Sequence, residues 1–337
     1  MLNSTLHISE NIFDKDVEKK PTRHGFGEGL VEAGRADERV VALCADLTES
    51  TRIIDFKKEF PDRFIEVGVA EQALATIASG MANYGKIPFI SSYAAFSPGR
   101  NWEQIRTTAS LNDVPVKIIG SHTGLSVGPD GATHQALEDL ALMRAIPNMV
   151  VIYPCDFFEA KKATIEVAKN LPAQAGGKPS YIRLAREGTP IMTTEKTPFE
   201  IGKAYEFWQS KNPQVVIIAT GPLLYEALVA AKELKENGIE VLVINNPTIK
   251  PLDEHTLIRA ARTCGAVVSV EEHQVNGGLG GALSELFAKN FPVPMEFIGV
   301  QDSFGESGNP DELLEKFKLK SSNIIDAVKK VIARKES

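Results

Sequence analysis

The chain has 337 residues, 43% of them hydrophobic and 24% charged, which suits two folded domains and excludes a disordered spacer. Its net charge of −7 leaves no electrostatic footprint for nucleic acid, and no apolar run reaches the roughly 20 residues that span a bilayer. Three widely spaced cysteines, Cys44, Cys155 and Cys264, form no C-x-x-C pair. They read as reduced thiols of a cytoplasmic protein, not as a disulfide frame or zinc site.

Residues 1–19 carry acids early and no continuous apolar stretch, so no signal peptide is expected and the segment reads as a loosely held lead-in. From there short β-branched runs alternate with helical patterns. VVALCAD (40–46), FIEVGV (64–69), IPFISSY (87–93), VKIIGSH (116–122), MVVIYP (149–154) and YIRLAR (181–186) are expected strands of the first half. VVIIAT (215–220), EVLVINN (240–246) and AVVSVEEH (266–273) are those of the second. ALATIASGMANYG (73–85) has helical spacing, with Leu74, Ile77, Ala78 and Met81 on one face and Gly85 placed to end it. The alternation means an α/β fold of mainly parallel sheets joined through helices.

The Thr- and Pro-rich stretch GTPIMTTEKTPFE (188–200) lacks apolar periodicity and marks a break. The expected domains are 20–190 and 197–335, with 191–196 as linker. No internal repeat or low-complexity segment occurs.

Parallel sheets bind ligands beyond the carboxyl ends of their strands. The expected exits of the first domain deliver Asp46, Glu71 (through Ala70), Tyr93, His122 and Arg186 to one edge. Together they describe a polar pocket for an anionic, ring-containing ligand. The loop GLSVGPDGATHQ adds Asp130 and His134, with Gly124, Gly128 and Gly131 allowing close backbone approach. Its His and Asp residues could exchange protons with hydroxyl and carbonyl oxygens, could bind a divalent ion, or could belong to an ordinary surface turn. Glu71 alone could be no more than an acid favoured by a helix dipole, and Tyr93 and Phe96 no more than core aromatics. The glycine run 277–281 follows a strand but lacks G-x-G-x-x-G spacing, so a plain strand-to-helix turn is expected there.

These residues also carry a resemblance. SHTGLSVGPDGATHQALEDLALMRAIPNMVVIYPCD resembles the second half of transketolases, in which a His, D-G-x-T-H-Q, I-P-N-M and P-x-D follow in this order. GVAEQ is similar to that family's glutamate motif and CADLTES to its A-D-L segment. EEHQVNGGLGGAL and FGESGNPDELL are similar to its C-terminal domain. The resemblance covers nearly everything after residue 20. It implies a pyrimidine-binding domain followed by a transketolase C-terminal domain, with thiamine diphosphate and Mg²⁺ as cofactors.

On that resemblance Glu71 is the activating carboxylate, which bonds a pyrimidine nitrogen of the cofactor and should lie in an apolar pocket that raises its pKa. Tyr93 and Phe96 match the stacking aromatics, and Asp46 a second cofactor contact. His134 and Asp130 match the substrate pair, with His134 moving protons. Arg23, Ser50, His122 and Arg186 match the residues that hold a sugar phosphate.

A third stacking ring of the single-chain enzymes is replaced by Gly99, for which Trp102 could compensate. The G-D-G motif and Asn that hold the metal and diphosphate are missing, so no metal ligand is assigned here. A separate diphosphate-binding subunit is implied, with a homodimer of this chain inside a heterotetramer. A 1-deoxyxylulose-5-phosphate synthase, the β-subunit of a 2-oxo-acid dehydrogenase, and a non-catalytic scaffold are the rival readings. The donor and acceptor sugars are not legible.

Overall fold

The computed structural model describes residues 1–169 and 177–336. In chain order the strands are β1 (Lys19–Pro21), β2 (Val40–Cys44), β3 (Phe64–Glu66), β4 (Ile87–Tyr93), β5 (Lys117–Ser121), β6 (Val150–Ile152), β7 (Ser180–Arg183) and β8 (Gly188–Pro190). They continue with β9 (Tyr205–Trp208), β10 (Val215–Ala219), β11 (Val241–Asn245), β12 (Thr248–Lys250), β13 (Val267–Gln274) and β14 (Met295–Val300). One sheet has the order β12-β6-β7-β5-β4-β2-β3 and is parallel except for β12. The other has the order β14-β13-β10-β11-β9 and is parallel except for β9. The fold is α/β with mainly parallel sheets flanked by helices.

Parallel strands need cover on both faces, and β2 shows how the sequence provides it. All five of its residues are buried. Val41 and Leu43 join a cluster with Leu74 and Ala78 of the helix Glu71–Asn83. Val40, Ala42 and Cys44 point the other way, toward Phe26 and Phe56. The first of these clusters continues into Val216, Ile218 and Leu279, so residues of both halves share one core.

Three features depart from expectation. Ile77 does not share the buried face of Leu74 and Ala78 but is 42% exposed, and Met81 is only half-buried. Residues 1–19 are docked rather than loosely held. Asn3 donates its amide to the Phe207 carbonyl, Leu2 bridges to Trp208, Ile12 is fully buried, and β1 pairs with β8. Finally, β12 lies beyond the expected linker, yet it pairs antiparallel with β6 and completes the edge of the first sheet.

Candidate active site

The registers of the first sheet bring its strand exits level. Cys44 lies opposite both Glu66 and Ser91, Tyr93 opposite Ser121, and Gly120 opposite Arg183. The residues that follow therefore emerge at one edge. Asp46, Glu71, Tyr93, His122 and Arg186 all belong to it.

Three rings and a fourth make its floor. Tyr93 stacks on His122 with centroids 3.9 Å apart and lies 6.1 Å from Phe96. His134 stands edge-on to Phe96 at 5.4 Å and to Tyr93 at 6.1 Å. The His122 Nδ1 is 2.9 Å from the Ser121 hydroxyl. Burial first, then Arg23, Arg186 and His134, push the His122 imidazole down to about 3, so it is uncharged at neutral pH.

Glu71 opens its helix and is buried, but its surroundings are not apolar. Its carboxylate accepts a hydrogen bond of 2.6 Å from Arg100 Nη1, and the Arg100 guanidinium lies 5.0 Å from the centre of the Phe96 ring. A buried carboxylate needs a partner, and Arg100, itself half-exposed, supplies one. Asn101 fixes the start of the helix by donating to the Glu71 carbonyl at 2.9 Å. Sequence reasoning missed Arg100, because nothing in the spacing pairs it with a residue 29 positions earlier.

Glu66 was also missed. It ends β3, so the rule that singled out the other strand exits could have found it. Its Oε1 accepts from the amides of Asp46 and Gly68 at 2.8 and 3.0 Å, and its Oε2 from the Thr48 hydroxyl at 2.8 Å. One carboxylate thus ties the Asp46 turn, where φ is +59°, to the loop that leads into Glu71.

A cationic group adjoins the rings. Arg23 Nη1 donates to the Ser50 carbonyl at 2.7 Å, while its Nε is buried with no hydrogen-bond partner. Burial and then Arg186 lower the Arg23 guanidinium from its ordinary value. Arg186 donates to the Val127 carbonyl at 2.7 Å and lies 3.7 Å from an Asp130 oxygen. Cations placed close enough to disfavour one another, one with a buried donor unspent, make a seat for an anion.

One sequence possibility falls away. Trp102 cannot stand in for a third ring over the pocket, because its indole N–H donates to the Leu142 carbonyl at 3.0 Å and it packs against the core. No side chain fits at Gly99 either, since a Cβ there would lie 2.1 Å from the Ala95 carbonyl oxygen. Among the described residues no three His, Cys, Asp or Glu side chains gather as a metal site.

The glycine run at 277–281 is the plain turn expected. Its helix-opening amides, those of Leu279 and Gly280, are taken by the Glu271 carboxylate at 2.7 and 2.8 Å, which leaves no phosphate cradle. Residues 124–128 also spell G-x-S-x-G, a spacing that sequence reasoning overlooked. The segment around it, Leu125–Asp130, is a short 3₁₀ turn and not a strand-to-helix elbow, and the Ser126 hydroxyl donates to Glu272.

Comparison with known proteins identifies the family. The transketolase pyrimidine-binding domain family matches residues 18–191, and the transketolase C-terminal domain family matches 206–324. A Methanocaldococcus jannaschii protein, named only provisionally as a transketolase C-terminal section, is 44% identical over 90% of this chain and 94% of its own. The 6-deoxy-6-sulfo-D-fructose transketolase subunit SqwH of a Clostridium species is 38% identical over 96% of this chain and 98% of its own.

Among solved structures, a split-gene transketolase described as an inactive β4 tetramer superposes with a TM-score of 0.84 at 40% identity. It covers 94% of this chain and 99% of that one. In matches to mouse, human and rat transketolases, 94% of this chain aligns with only 50% of theirs. The chain belongs to the transketolase family and corresponds to its C-terminal half, a pyrimidine-binding domain followed by the transketolase C-terminal domain.

Proposed function

We propose that this chain is the C-terminal subunit of a two-subunit, thiamine-diphosphate-dependent transketolase that moves a two-carbon ketol unit from a ketose phosphate to an aldose. The observation that carries the reading is the junction, at one sheet edge, of buried Glu71, the Tyr93–His122–Phe96–His134 rings and the Arg23–Arg186 cations. When bound, the cofactor supplies the stabilisation of negative charge that lets the two-carbon unit change partners. The residues present fit one end of it: a buried carboxylate for a ring nitrogen and aromatic faces for the pyrimidine. Mg²⁺ and diphosphate ligands are assigned to the second subunit.

Within this chain, Glu71 would hold the pyrimidine nitrogen in place of Arg100, with Tyr93 and Phe96 against the ring and Asp46 as a further contact. His134 would hold and move the proton at the donor's reacting oxygen, and Asp130 would accept from the neighbouring hydroxyl. Arg23, Ser50, His122 and Arg186 would surround the phosphate, His122 as a neutral donor. A sulfonated donor is the second reading, favoured by the named substrate of the Clostridium relative; a planar guanidinium pair would serve either anion.

Exposed apolar residues lie on the Glu71 helix and at its two ends: Ile77 at 42%, Val69 at 70% and Tyr84 at 92% exposure. Such a surface beside a half-built site is what a partner covers. The isolated chain should therefore fold, bind thiamine diphosphate weakly and lack ketol transfer. Addition of the second subunit, Mg²⁺ and cofactor should restore turnover. Calorimetric titration alongside a transfer assay checks this, and tight binding with full turnover by this chain alone would overturn it.

Substrate charge gives a second test. In the complete enzyme Arg186→Ala should raise KM for sugar phosphates by roughly 10- to 150-fold relative to unphosphorylated analogues, the worth of one charge-assisted hydrogen bond. Arg186 also braces the Val127 carbonyl, but that loss is common to both substrates and cancels in their ratio. Equal losses would show that Arg186 does not read the phosphate.

A further inference from the structure

The loop that carries Asp130 and His134 belongs to the first domain by sequence but is fastened by the second. Ser126 donates its amide to Glu272 Oε1 at 2.7 Å and its hydroxyl to Oε2 at 3.2 Å. Glu272 lies in β13 of the other sheet and is 1% exposed. The loop backbone rests directly on this carboxylate: at Gly124, where φ is +81°, a Cβ would lie 2.4 Å from Glu272 Oε1. Further along, Gln135 Nε2 donates to the Glu306 carbonyl at 2.9 Å, and a Cβ at Gly131 would lie 2.4 Å from the Ser307 hydroxyl. The two glycines are thus required both by their positive φ and by the approach of the second domain.

We infer that Glu272 is a positioning residue: through Ser126 it sets the place of Asp130 and His134, and so gives the C-terminal domain a part in ketol transfer. The inference rests on the reading of that pair as donor-binding groups. Glu272 itself touches neither of them, and a loop displaced by about 1 Å is enough to cost on the order of 10²-fold in rate.

The adjacent carboxylate provides the comparison. Glu271 is equally buried, but its oxygens accept from the Leu279 and Gly280 amides and its Oε2 lies 3.8 Å from His273 Nδ1, all within its own domain.

The experiment uses the reconstituted two-subunit enzyme with Glu272→Ala, Glu272→Gln and Glu271→Gln. Steady-state kinetics, calorimetric cofactor affinity and hydrogen exchange of amides 125–131 are measured for each. Glu272→Ala should lower kcat/KM for the donor by about 10- to 100-fold and speed exchange at 125–131 by about 10-fold or more, with cofactor affinity unchanged. Glu272→Gln should recover both to within about threefold, since the amide can still accept from the Ser126 N–H and donate to its hydroxyl. Glu271→Gln should lower thermal stability and leave kinetics and loop exchange alone.

Unchanged exchange in Glu272→Ala, or equal kinetic losses in the Glu271 and Glu272 variants, would overturn the inference. Should Glu272→Ala not fold, Ser126→Ala replaces it, with an expected loss of about threefold in kcat/KM and faster loop exchange; no change in either is again fatal. If the wild-type complex transfers no ketol unit, the functional reading fails on its own, and the exchange measurement still decides whether Glu272 holds the loop.

Discussion

Glu71→Gln in the complete two-subunit enzyme should lower kcat by about 10²- to 10⁴-fold, the range expected when a positioned proton-exchanging group is lost. Glu71 is buried at the first turn of its helix, with its carboxylate on Arg100 and its carbonyl on Asn101. The amide is nearly the same shape, so packing and the Asn101 bond persist, and Arg100 can turn to water from its half-exposed position. On the proposed role of Glu71, what disappears is the capacity to exchange a proton with the pyrimidine nitrogen. Because that capacity serves activation and not substrate binding, kcat should fall much more than KM changes. Circular dichroism and thermal unfolding of the variant chain should match the wild type. A kcat close to wild type would take Glu71 out of the mechanism.

The second large effect is on stability. Asp139→Ala should lower the free energy of unfolding by about 3–5 kcal/mol, because it strands a buried cation. Arg183 is fully buried; its Nε donates to Asp139 at 2.8 and 3.1 Å and its Nη2 to the Ala136 carbonyl at 3.0 Å. Asp139 also accepts from the Tyr181 hydroxyl at 2.6 Å, and the guanidinium lies 4.4 Å from the centre of the Tyr153 ring. Removing the carboxylate leaves a charge and a phenol without their anion. Asp139→Leu combined with Arg183→Met removes both charges and should lose less than Asp139→Ala alone. Denaturant titration of the three proteins checks the order, and a double variant worse than the single would contradict the assignment.

The sequence made the centre of each sheet legible and its margins much less so. The runs at β2 and β10 are apolar without a break because both faces are covered, and such runs stand out against loops. The missed strands are β1 and β8, which pair only with each other, and the sheet edges β9, β12 and β14; β1, β8 and β12 are three residues long and take their strand form from a distant partner. Ile77 shows the same limit on a helix: its spacing fits the buried face, but that face is narrower than an apolar pattern implies.

The shared sheet edge was legible where residues end strands or come soon after them, as with Asp46, Tyr93, His122 and Arg186. Arg100 and Glu272 were hidden because their partners lie 29 and 146 positions away, and nothing local marks such a contact. Trp102 misled for the opposite reason. It has the right spacing and ring, yet its N–H is drawn to Leu142.

The strand β12 carries a consequence for how the two halves could ever be parted. Its residues follow the second domain's own β11, yet they close the open side of β6 in the first sheet. Meanwhile residues 1–12 run the other way, from the start of the chain onto β9 and the segment around Met192. Each half has lent the other a piece of backbone, like two hands with fingers interlaced. A cut near residue 197 would leave β6 with a bare row of amides and carbonyls, a template for stray strands. It would also strip β9 of the contacts that residues 2 and 3 provide. What looks in the sequence like a hinge between modules is a seam stitched from both sides, and either half alone would bare edges that the other now covers.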